Sequence, residues 1–127
     1  MVKIKVKIIK INDDRKVDVR TQYGMLSGFW NGDIPKLNEE YEVELEVDDT
    51  LKWTGEIIKV DADIFDCSIK DNLVHIIGCV EVVEDDGYTV IRIGDNVLTI
   101  DTEGEPFEVG EYVKVIIQRL EFYDVAV

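Results

Sequence analysis

The sequence predicts an all-β protein made of two tandem small five-stranded β-barrels of the OB-like or SH3-like type. Three observations lead to this fold class. Apolar and polar residues alternate with a period of two along most of the chain, turn residues interrupt the alternation at short intervals, and the two halves of the sequence resemble each other. A single β-sandwich is the alternative that the same alternation allows.

The first strand begins at the N-terminus. Residues 2–8 alternate strictly, with a lysine at each odd position. Ile9 and Ile11 then take the opposite phase, which predicts a β-bulge near Ile8 and Ile9. The segment is basic and apolar, but it has neither the continuous apolar run nor the small-residue cleavage site of a signal peptide. We therefore interpret it as a strand.

Clusters of turn residues divide the rest of the chain. The segments between them are rich in Val, Ile and Tyr and predict about eleven short strands in total. Only residues 37–41 have room for a short helical turn. The clusters contain mostly Asp, Asn and Gly and lie at 12–14, 31–33, 48–50, 70–72, 85–87 and 94–96.

The two halves of the chain match without a gap when positions 2–55 are laid over positions 74–127. This repeat alignment brings Ile4 onto Ile76 and Arg20 onto Arg92. The matching residues occur in the same order in both halves, which favours an internal duplication. Chance similarity between two alternating β-segments is the other interpretation.

A duplication divides the chain into three parts. We expect a first β-barrel at 1–58, a connecting hairpin at 59–72 and a second β-barrel at 73–127. Each half would then be one five-stranded barrel.

The charge of the chain limits the partners that it can bind. It has 28 acidic and 14 basic residues, a net charge of −14, and half of the basic residues lie within the first twenty positions. OB barrels commonly bind single-stranded nucleic acid through basic grooves, but so acidic a surface repels a phosphate backbone. No apolar run has the length of a membrane helix. The sequence therefore predicts a basic protein partner, no direct nucleic-acid binding and no membrane, for a monomer or weak homodimer.

Cys67 and Cys79 are too few for a disulfide framework. If the segments on either side of residues 71–72 form a hairpin, Cys67 faces Ile76 and Cys79 faces Ile64. That register separates the two sulfur atoms by roughly 10 Å, beyond the reach of a disulfide bond. Reduced thiols predict a cytoplasmic protein.

Residues 39–49, EEYEVELEVDD, place seven carboxylates around four alternating apolar residues. The pattern predicts one strand with a buried face and a carboxylate face. In one interpretation the carboxylates meet a partner. In the other, which we favour, the first and fourth strands are neighbours as in an OB-like barrel, and the lysines of the first strand neutralise Glu42, Glu44 and Glu46.

Phe29 and Trp30 precede an Asn-Gly turn and, as neighbours on a strand, point to opposite faces. We assign Phe29 and Trp53 to the core and expect Trp30 to be exposed. An exposed ring beside carboxylates is a common arrangement of interface anchors. The candidate partner-binding residues are one aromatic residue, the acid of the turn after it, and five of the acids without a partner on the lysine strand: Trp30, Asp33, Asp48, Asp49, Asp101, Glu103 and Glu105.

No pattern of residues indicates catalysis, a metal site or a cofactor. His75, the single histidine, lies on a predicted strand without a cysteine or carboxylate at ligand spacing. The aspartate-rich turns lack the glycine and terminal glutamate of an EF-hand loop, and no glycine-rich phosphate loop is present. We expect a non-enzymatic protein.

The segment GFWNGDIPKLNEEYEVELEVDDTLKW, residues 28–53, resembles a stretch of small uncharacterised bacterial proteins, some of which are immunity proteins of polymorphic toxin systems. The shared pattern is a Gly-aromatic turn, Pro35, a Tyr-x-Val-Glu-Leu strand and a late Trp. The resemblance implies a cytoplasmic protein that neutralises a toxin, such as a basic nuclease, by occluding its substrate cleft. The alternative function is a structural or adaptor β-barrel protein in a larger assembly.

Overall fold

The computed structural model describes residues 3–125 and confirms that the chain is all-β. Helical structure in these residues is limited to one 3₁₀ turn at Asp13–Arg15, and the segment 37–41, which has room for a helical turn, forms a simple turn in which Glu39 N donates to Lys36 O at 3.2 Å. The eleven strands are β1 (Ile4–Ile11), β2 (Lys16–Thr21), β3 (Gly24–Asn31), β4 (Glu40–Lys52), β5 (Ile57–Lys59), β6 (Asp66–Lys70), β7 (Leu73–Val83), β8 (Tyr88–Ile93), β9 (Asn96–Glu103), β10 (Tyr112–Ile117) and β11 (Glu121–Asp124).

Eight of the strands close into one β-barrel. Their order is β1, β2, β3, β6, β7, β8, β9 and β4, which returns to β1. Within this ring only the β3–β6 and β4–β9 pairs are parallel. The other three strands lie outside the ring, since β11 pairs with β3 and β4, β10 pairs with β7, and β5 pairs with β10.

The predicted arrangement of two tandem barrels is not seen, because the last strand of each half pairs with the other half. β11, from the end of the chain, pairs with β3 and β4, and its Phe122 is fully buried. The end of β4, Thr50 to Lys52, pairs with β9 of the second half. Local alternation carries no information about such distant pairing. The boundaries proposed at 58 and 73 stay a prediction.

The two halves nevertheless share their internal register. Ile4 lies opposite Val43 in the β1–β4 pair, and their counterparts in the repeat alignment, Ile76 and Val115, lie opposite each other in the β7–β10 pair. The predicted bulge near Ile8 is confirmed by a register shift in the β1–β2 pair, and the β7–β8 pair has the same shift after Val80. The same strand geometry is therefore built twice.

The core lies on the faces that the alternation predicts. On β1 the apolar residues Ile4, Val6 and Ile8 are buried, and the lysines between them are exposed. Burying each such side chain contributes roughly 1.5–3 kcal/mol to folding. None of residues 3–125 belongs to a helix with the length and apolarity that crossing a membrane requires.

The hairpin between β6 and β7 has the predicted register at Cys67, which lies opposite Ile76. Its turn residues Asp71 and Asn72 have φ of 54° and 64°, as a two-residue type I′ turn requires. β6 begins at Asp66, so the predicted pairing of Cys79 with Ile64 is not formed. Both cysteines are free and buried, and burial raises the pKa of Cys67 to about 12.

Candidate protein-binding surface

A groove opens where β4 and β9 change register. Three residues separate the paired positions Glu46 and Thr50 on β4, whereas one residue separates their partners on β9. The extra residues form a bulge, and a bulge interrupts the strict alternation of a strand. As a result Asp48 and Asp49, which are neighbours in sequence, are both exposed.

We call this feature the acidic groove. It has a volume of about 220 Å³ and is lined by the carboxylates of Glu46, Asp48 and Asp101 and by Tyr88. Tyr88 lies opposite Asp101 in the β8–β9 pair and is 41% exposed. The groove thus combines carboxylates, which attract a cation, with an accessible aromatic ring, which contributes buried area on binding.

A second exposed tyrosine adjoins the groove. Tyr123 lies opposite Glu44 in the β11–β4 pair and is 38% exposed. Partial burial raises the pKa of its phenol, and the charges of Glu46, Glu121 and Asp48 raise that pKa further. Carboxylates of the groove therefore lie close enough to act on this ring, and two tyrosines flank one acidic surface.

The structure places four of the predicted contact residues along the β4–β9 seam: Asp48, Asp49, Asp101 and Glu103. Glu103 lies opposite Lys52, whose Nζ is 3.8 Å from its carboxylate, and both side chains are exposed. Exposed ion pairs of this kind contribute little to stability. The role of these residues in binding stays a prediction.

Of the seven predicted residues, Asp48 and Asp101 line the acidic groove and the other five do not. Asp33 is exposed in the turn after β3, and Glu105 is exposed beyond the end of β9. Trp30 lies on β3, which shares no pairing with β8 or β9. The seven predicted residues therefore do not form one surface.

The expectation that Trp30 is exposed is wrong. Its side chain is 1% exposed and packs against Tyr41 and Phe122, with ring centroids 5.1 Å and 6.1 Å away. Phe29 instead faces outward and is half-buried beneath the guanidinium of Arg119, 3.8 Å from the ring centroid. Leu26, which is buried, lies four positions before Trp30 on β3, so the two side chains point to the same face of the strand. Trp30 therefore faces the core, and its neighbour Phe29 faces outward.

The assignment of Trp53 to the core is confirmed. It is 4% exposed, and its Nε1 donates a hydrogen bond to Thr102 Oγ1 at 2.9 Å. Its ring contacts Phe107 edge-on at a centroid distance of 5.2 Å. Trp53 therefore has both an apolar and a polar partner inside the protein.

The strand pairing predicted to neutralise the glutamate row is confirmed for Glu42, and the neutralisation itself stays a prediction. β1 and β4 are neighbours, with Lys5 opposite Glu42 and Lys7 opposite Glu40. Glu44 and Glu46 instead lie opposite Tyr123 and Glu121 of β11, beyond the last pair of the β1–β4 ladder, Ile4 with Val43. The row is therefore divided between a lysine-paired part and a part that belongs to the acidic surface.

Glu121 is an acidic residue whose setting the sequence did not indicate. It is 8% exposed, and its carboxylate accepts hydrogen bonds from Asn31 Nδ2 at 2.9 Å and Arg119 Nε at 2.7 Å. The bond from Asn31 and the ion pair with Arg119 hold the pKa of Glu121 below its ordinary value. This carboxylate is a structural link between β3 and β11.

Sequence reasoning also missed the two exposed tyrosines. A signal was present for Tyr88. Ile91 and Ile93 alternate on the same strand and predict that odd-numbered residues face the core, so the even-numbered Tyr88 faces outward. No comparable signal existed for Tyr123, because its neighbours belong to distant segments of the chain.

Among residues 3–125, no group of three or more His, Cys, Asp or Glu side chains is placed to hold a metal ion. His75 lies opposite Ile116 of β10 and Ser68 of β6. The register therefore puts neither a carboxylate nor a thiol directly across from this histidine.

In comparisons with known proteins, no family model, curated protein or solved structure matches this chain. The resemblance of residues 28–53 to immunity proteins accordingly stays a prediction.

Proposed function

We propose that this protein is a non-enzymatic binding module whose acidic groove, with Tyr88 and Tyr123 beside it, docks on a basic surface of another protein. The observation that carries the proposal is the exposure of two tyrosines next to carboxylates with no lysine directly opposite. Tyrosine is enriched among the residues that dominate binding energies, because its ring contributes a large contact area with little loss of side-chain freedom.

The charge of the whole chain supports the same partner. A net charge of −14 accelerates encounter with a cationic protein at low salt. Charged groups at the rim mainly change the association rate, whereas desolvated rings mainly change the dissociation rate. The acidic groove has groups of both kinds.

We further propose that the partner is a toxin nuclease, which the protein inhibits in the cytoplasm. A nuclease binds phosphate through a basic cleft, and a surface of carboxylates is complementary to such a cleft. The resemblance of residues 28–53 to immunity proteins supports this identification. The two free, buried cysteines are consistent with a reducing compartment.

Affinity capture with the full-length chain as bait tests the proposal. We expect one basic protein to dominate the captured material, identified by mass spectrometry in an extract of the native host. The Asp48→Asn/Asp101→Asn bait should retain about tenfold less of it at physiological salt. The matched control is Glu84→Gln/Asp85→Asn, which removes two exposed charges outside the acidic groove and should capture as well as the unaltered bait.

Kinetics on the captured partner separate the two kinds of group. Asp48→Asn should slow association, and Tyr88→Ala should accelerate dissociation. Equal retention by the groove and control baits would refute the proposed surface. Capture of several subunits of one assembly, in place of one basic protein, would favour the structural or adaptor function.

We also propose that the barrel derives from two tandem OB-like or SH3-like units that exchanged their last strands. The repetition of the strand registers at positions matched by the repeat alignment supports this origin. The exchange accounts for the pairing of β11 with the first half and of the end of β4 with the second.

A further inference from the structure

One edge of β1 has no partner strand along part of its length. Lys7 lies opposite Glu40 of β4 and also opposite Arg20 of β2, so these two strands take opposite edges of β1. The pairing with β4 continues to Ile4, whereas the pairing with β2 stops at Lys7. Among residues 3–125, no strand therefore pairs with the β2 side of β1 at Ile4–Val6. We call this stretch the open edge.

In the second half of the chain the corresponding edge is covered. β7 is the counterpart of β1 in the repeat alignment, and its Ile77 corresponds to Lys5. Ile77 lies opposite Lys114 of β10 on one side and Asp66 of β6 on the other. β6 therefore lies on the edge of β7 that faces away from β10, and the matching edge of β1 faces away from β4. β6 is outside the repeat alignment, and the first half has no counterpart of it among the described residues.

The backbone groups of Lys5 point toward the open edge. In an antiparallel pair, successive residues direct their N–H and C=O groups alternately to the two sides of a strand. Ile8 N donates to Glu39 O at 3.0 Å, in the register of the β1–β4 pair. The even residues of β1 are therefore directed at β4, and Lys5 is directed at the opposite side. Unpaired groups on a strand edge are a template for the backbone of another chain.

The pairing of β6 shows the same groups in their bonded state. Cys67 N donates to Tyr23 O at 2.9 Å, so Cys67 directs its backbone groups away from β7. Its neighbour Asp66 therefore exchanges hydrogen bonds with Ile77, directly opposite. Since Lys5 is the counterpart of Ile77, equivalent backbone groups are bonded on β7 and unpaired on β1.

The surroundings of the open edge are basic. A groove of about 480 Å³ lies alongside it, and its charged lining residues are Lys5, Lys7, Arg20 and Glu40. All four are exposed, and Arg20 lies opposite Lys7, so two cations meet across the β1–β2 pair. Three cations and one anion give this groove a positive charge in a chain whose net charge is −14. Carboxylates on an added strand would be complementary to it.

We propose that the open edge binds an extended acidic peptide segment of another protein, which joins the sheet as a strand antiparallel to β1. β6 indicates the residue pattern. It puts Asp66 opposite the counterpart of Lys5, and the flanking Phe65 and Cys67 pack against the core. The bound segment accordingly has an acid opposite Lys5 and apolar residues on both sides of that acid. The groove shares no lining residue with the acidic groove, so the proposal does not rest on the proposed function.

Two other occupants fit the open edge less well. A second copy of β1 would put lysines opposite lysines, and like charges across a strand pair repel. A nucleic acid would meet the same cations, but it has no peptide backbone to pair with the N–H and C=O of Lys5. Each has its own outcome in the test.

Backbone amide signals of the ¹⁵N-labelled full-length protein test the proposal. The probe is acetyl-Gly-Val-Asp-Val-Asp-Gly-amide, with an expected Kd on the order of 1 mM. In the free protein the Lys5 amide should exchange rapidly with solvent, whereas the Ile77 amide, which is bonded to β6, should be protected. At saturation we expect a downfield shift of the Lys5 signal and exchange about tenfold slower, with Ile77 unchanged.

Matched peptides separate backbone pairing from charge attraction. Acetyl-Gly-Val-Val-Asp-Asp-Gly-amide has the same composition without the alternation and should bind about tenfold more weakly. N-methylation of the first Asp of the probe removes the N–H that donates to Lys5 O, which should also weaken binding about tenfold. N-methylation of the first Val is the control, because that N–H points away from β1 and binding should be retained.

Two protein variants complete the test. Lys5→Gln should weaken binding of the probe about threefold by removing the charge opposite its acid. Lys10→Gln removes an exposed lysine of the same strand outside the groove and should leave binding unchanged.

Four outcomes would overturn the proposal. Protection of the Lys5 amide in the free protein would show that the edge is already covered, by a second copy if the protection is lost on dilution. An equal shift of the Lys5 signal with a short oligothymidylate would identify a nucleic-acid site. Equal binding of the two methylated peptides would mean that charge alone attracts the probe, and an unmoved Lys5 signal would mean that the edge binds no acidic strand.

Discussion

Glu121 shows how much a single residue depends on distant segments. It lies on the short strand β11, yet its carboxylate is bound by Asn31 from β3 and by Arg119 just before β11. A buried carboxylate is tolerated only when such donors replace water. The ion pair and hydrogen bonds therefore stabilise the packing of β11 against β3.

This contact predicts a pH dependence of stability. The folded-state pKa of Glu121 is lowered, so its contribution is fully present above the unfolded carboxyl pKa of about 4.3 and is lost as the pH falls through the lower folded value. Glu121→Gln should cost about 1–2 kcal/mol at pH 7 in urea unfolding, and much less below about pH 3.

The matched control for this prediction is Glu105→Gln, which removes the same charge from an exposed position. It should leave the free energy of unfolding unchanged at both pH values. An equal loss for Glu121→Gln at pH 7 and at low pH would mean that packing, and not ionisation, is responsible.

Among the elements of the fold, β4 has the most divided environment. Its first residues pair with the lysines of β1, its middle pairs with β11, and its end pairs with β9. Its glutamates therefore have different roles, although they share one face and one spacing. The part beside β1 lies opposite lysines, and the part beside β11 and β9 contributes to the acidic surface.

Charge reversal on β1 tests whether its lysines neutralise the glutamates opposite them. Lys5→Glu should destabilise the fold by about 1 kcal/mol, because Glu42 lies directly opposite and like charges across a strand pair repel. The free energy of unfolding is measured in urea. Lys70→Glu is the control, since it makes the same charge change opposite the apolar Leu73. A loss no larger than that of the control would contradict the pairing.

In the whole molecule, β11 and the end of β4 pair across the two halves, so each half completes the other. Phe122 of β11 lies opposite Leu45 of β4 and is fully buried. Without β11, β3 and β4 would have unpaired backbone groups next to an open core. We therefore expect the halves to fold as one cooperative unit.

Cutting the chain in the exposed segment near Asp61 and Asp63 tests this dependence. Fragments 1–62 and 63–127 should each lack dispersed amide resonances when alone and should gain them when mixed. Phe122→Ala in the second fragment should weaken the association by about 3–5 kcal/mol. A folded spectrum from either fragment alone would show that the halves are independent barrels after all.

The sequence by itself determined the strands, the bulge at Ile8 and the register at Cys67. Each of these depends on residues close together in the chain, and a period of two or a turn pair is a local property. The similarity of the two halves could likewise be read from the sequence. Strand faces with the same surroundings in both halves have similar residues. Buried Trp53 followed from the same alternation.

Only the tertiary structure decided where the last strands pair, which glutamates have lysine neighbours, and that Trp30 is buried while Tyr88 and Tyr123 are exposed. The pairing of β11 with β3 joins residues about ninety positions apart, for example Glu121 with Phe29. No local pattern favours one such partner over another, since every alternating strand presents similar backbone groups. The acidic groove exists because two distant strands meet out of register.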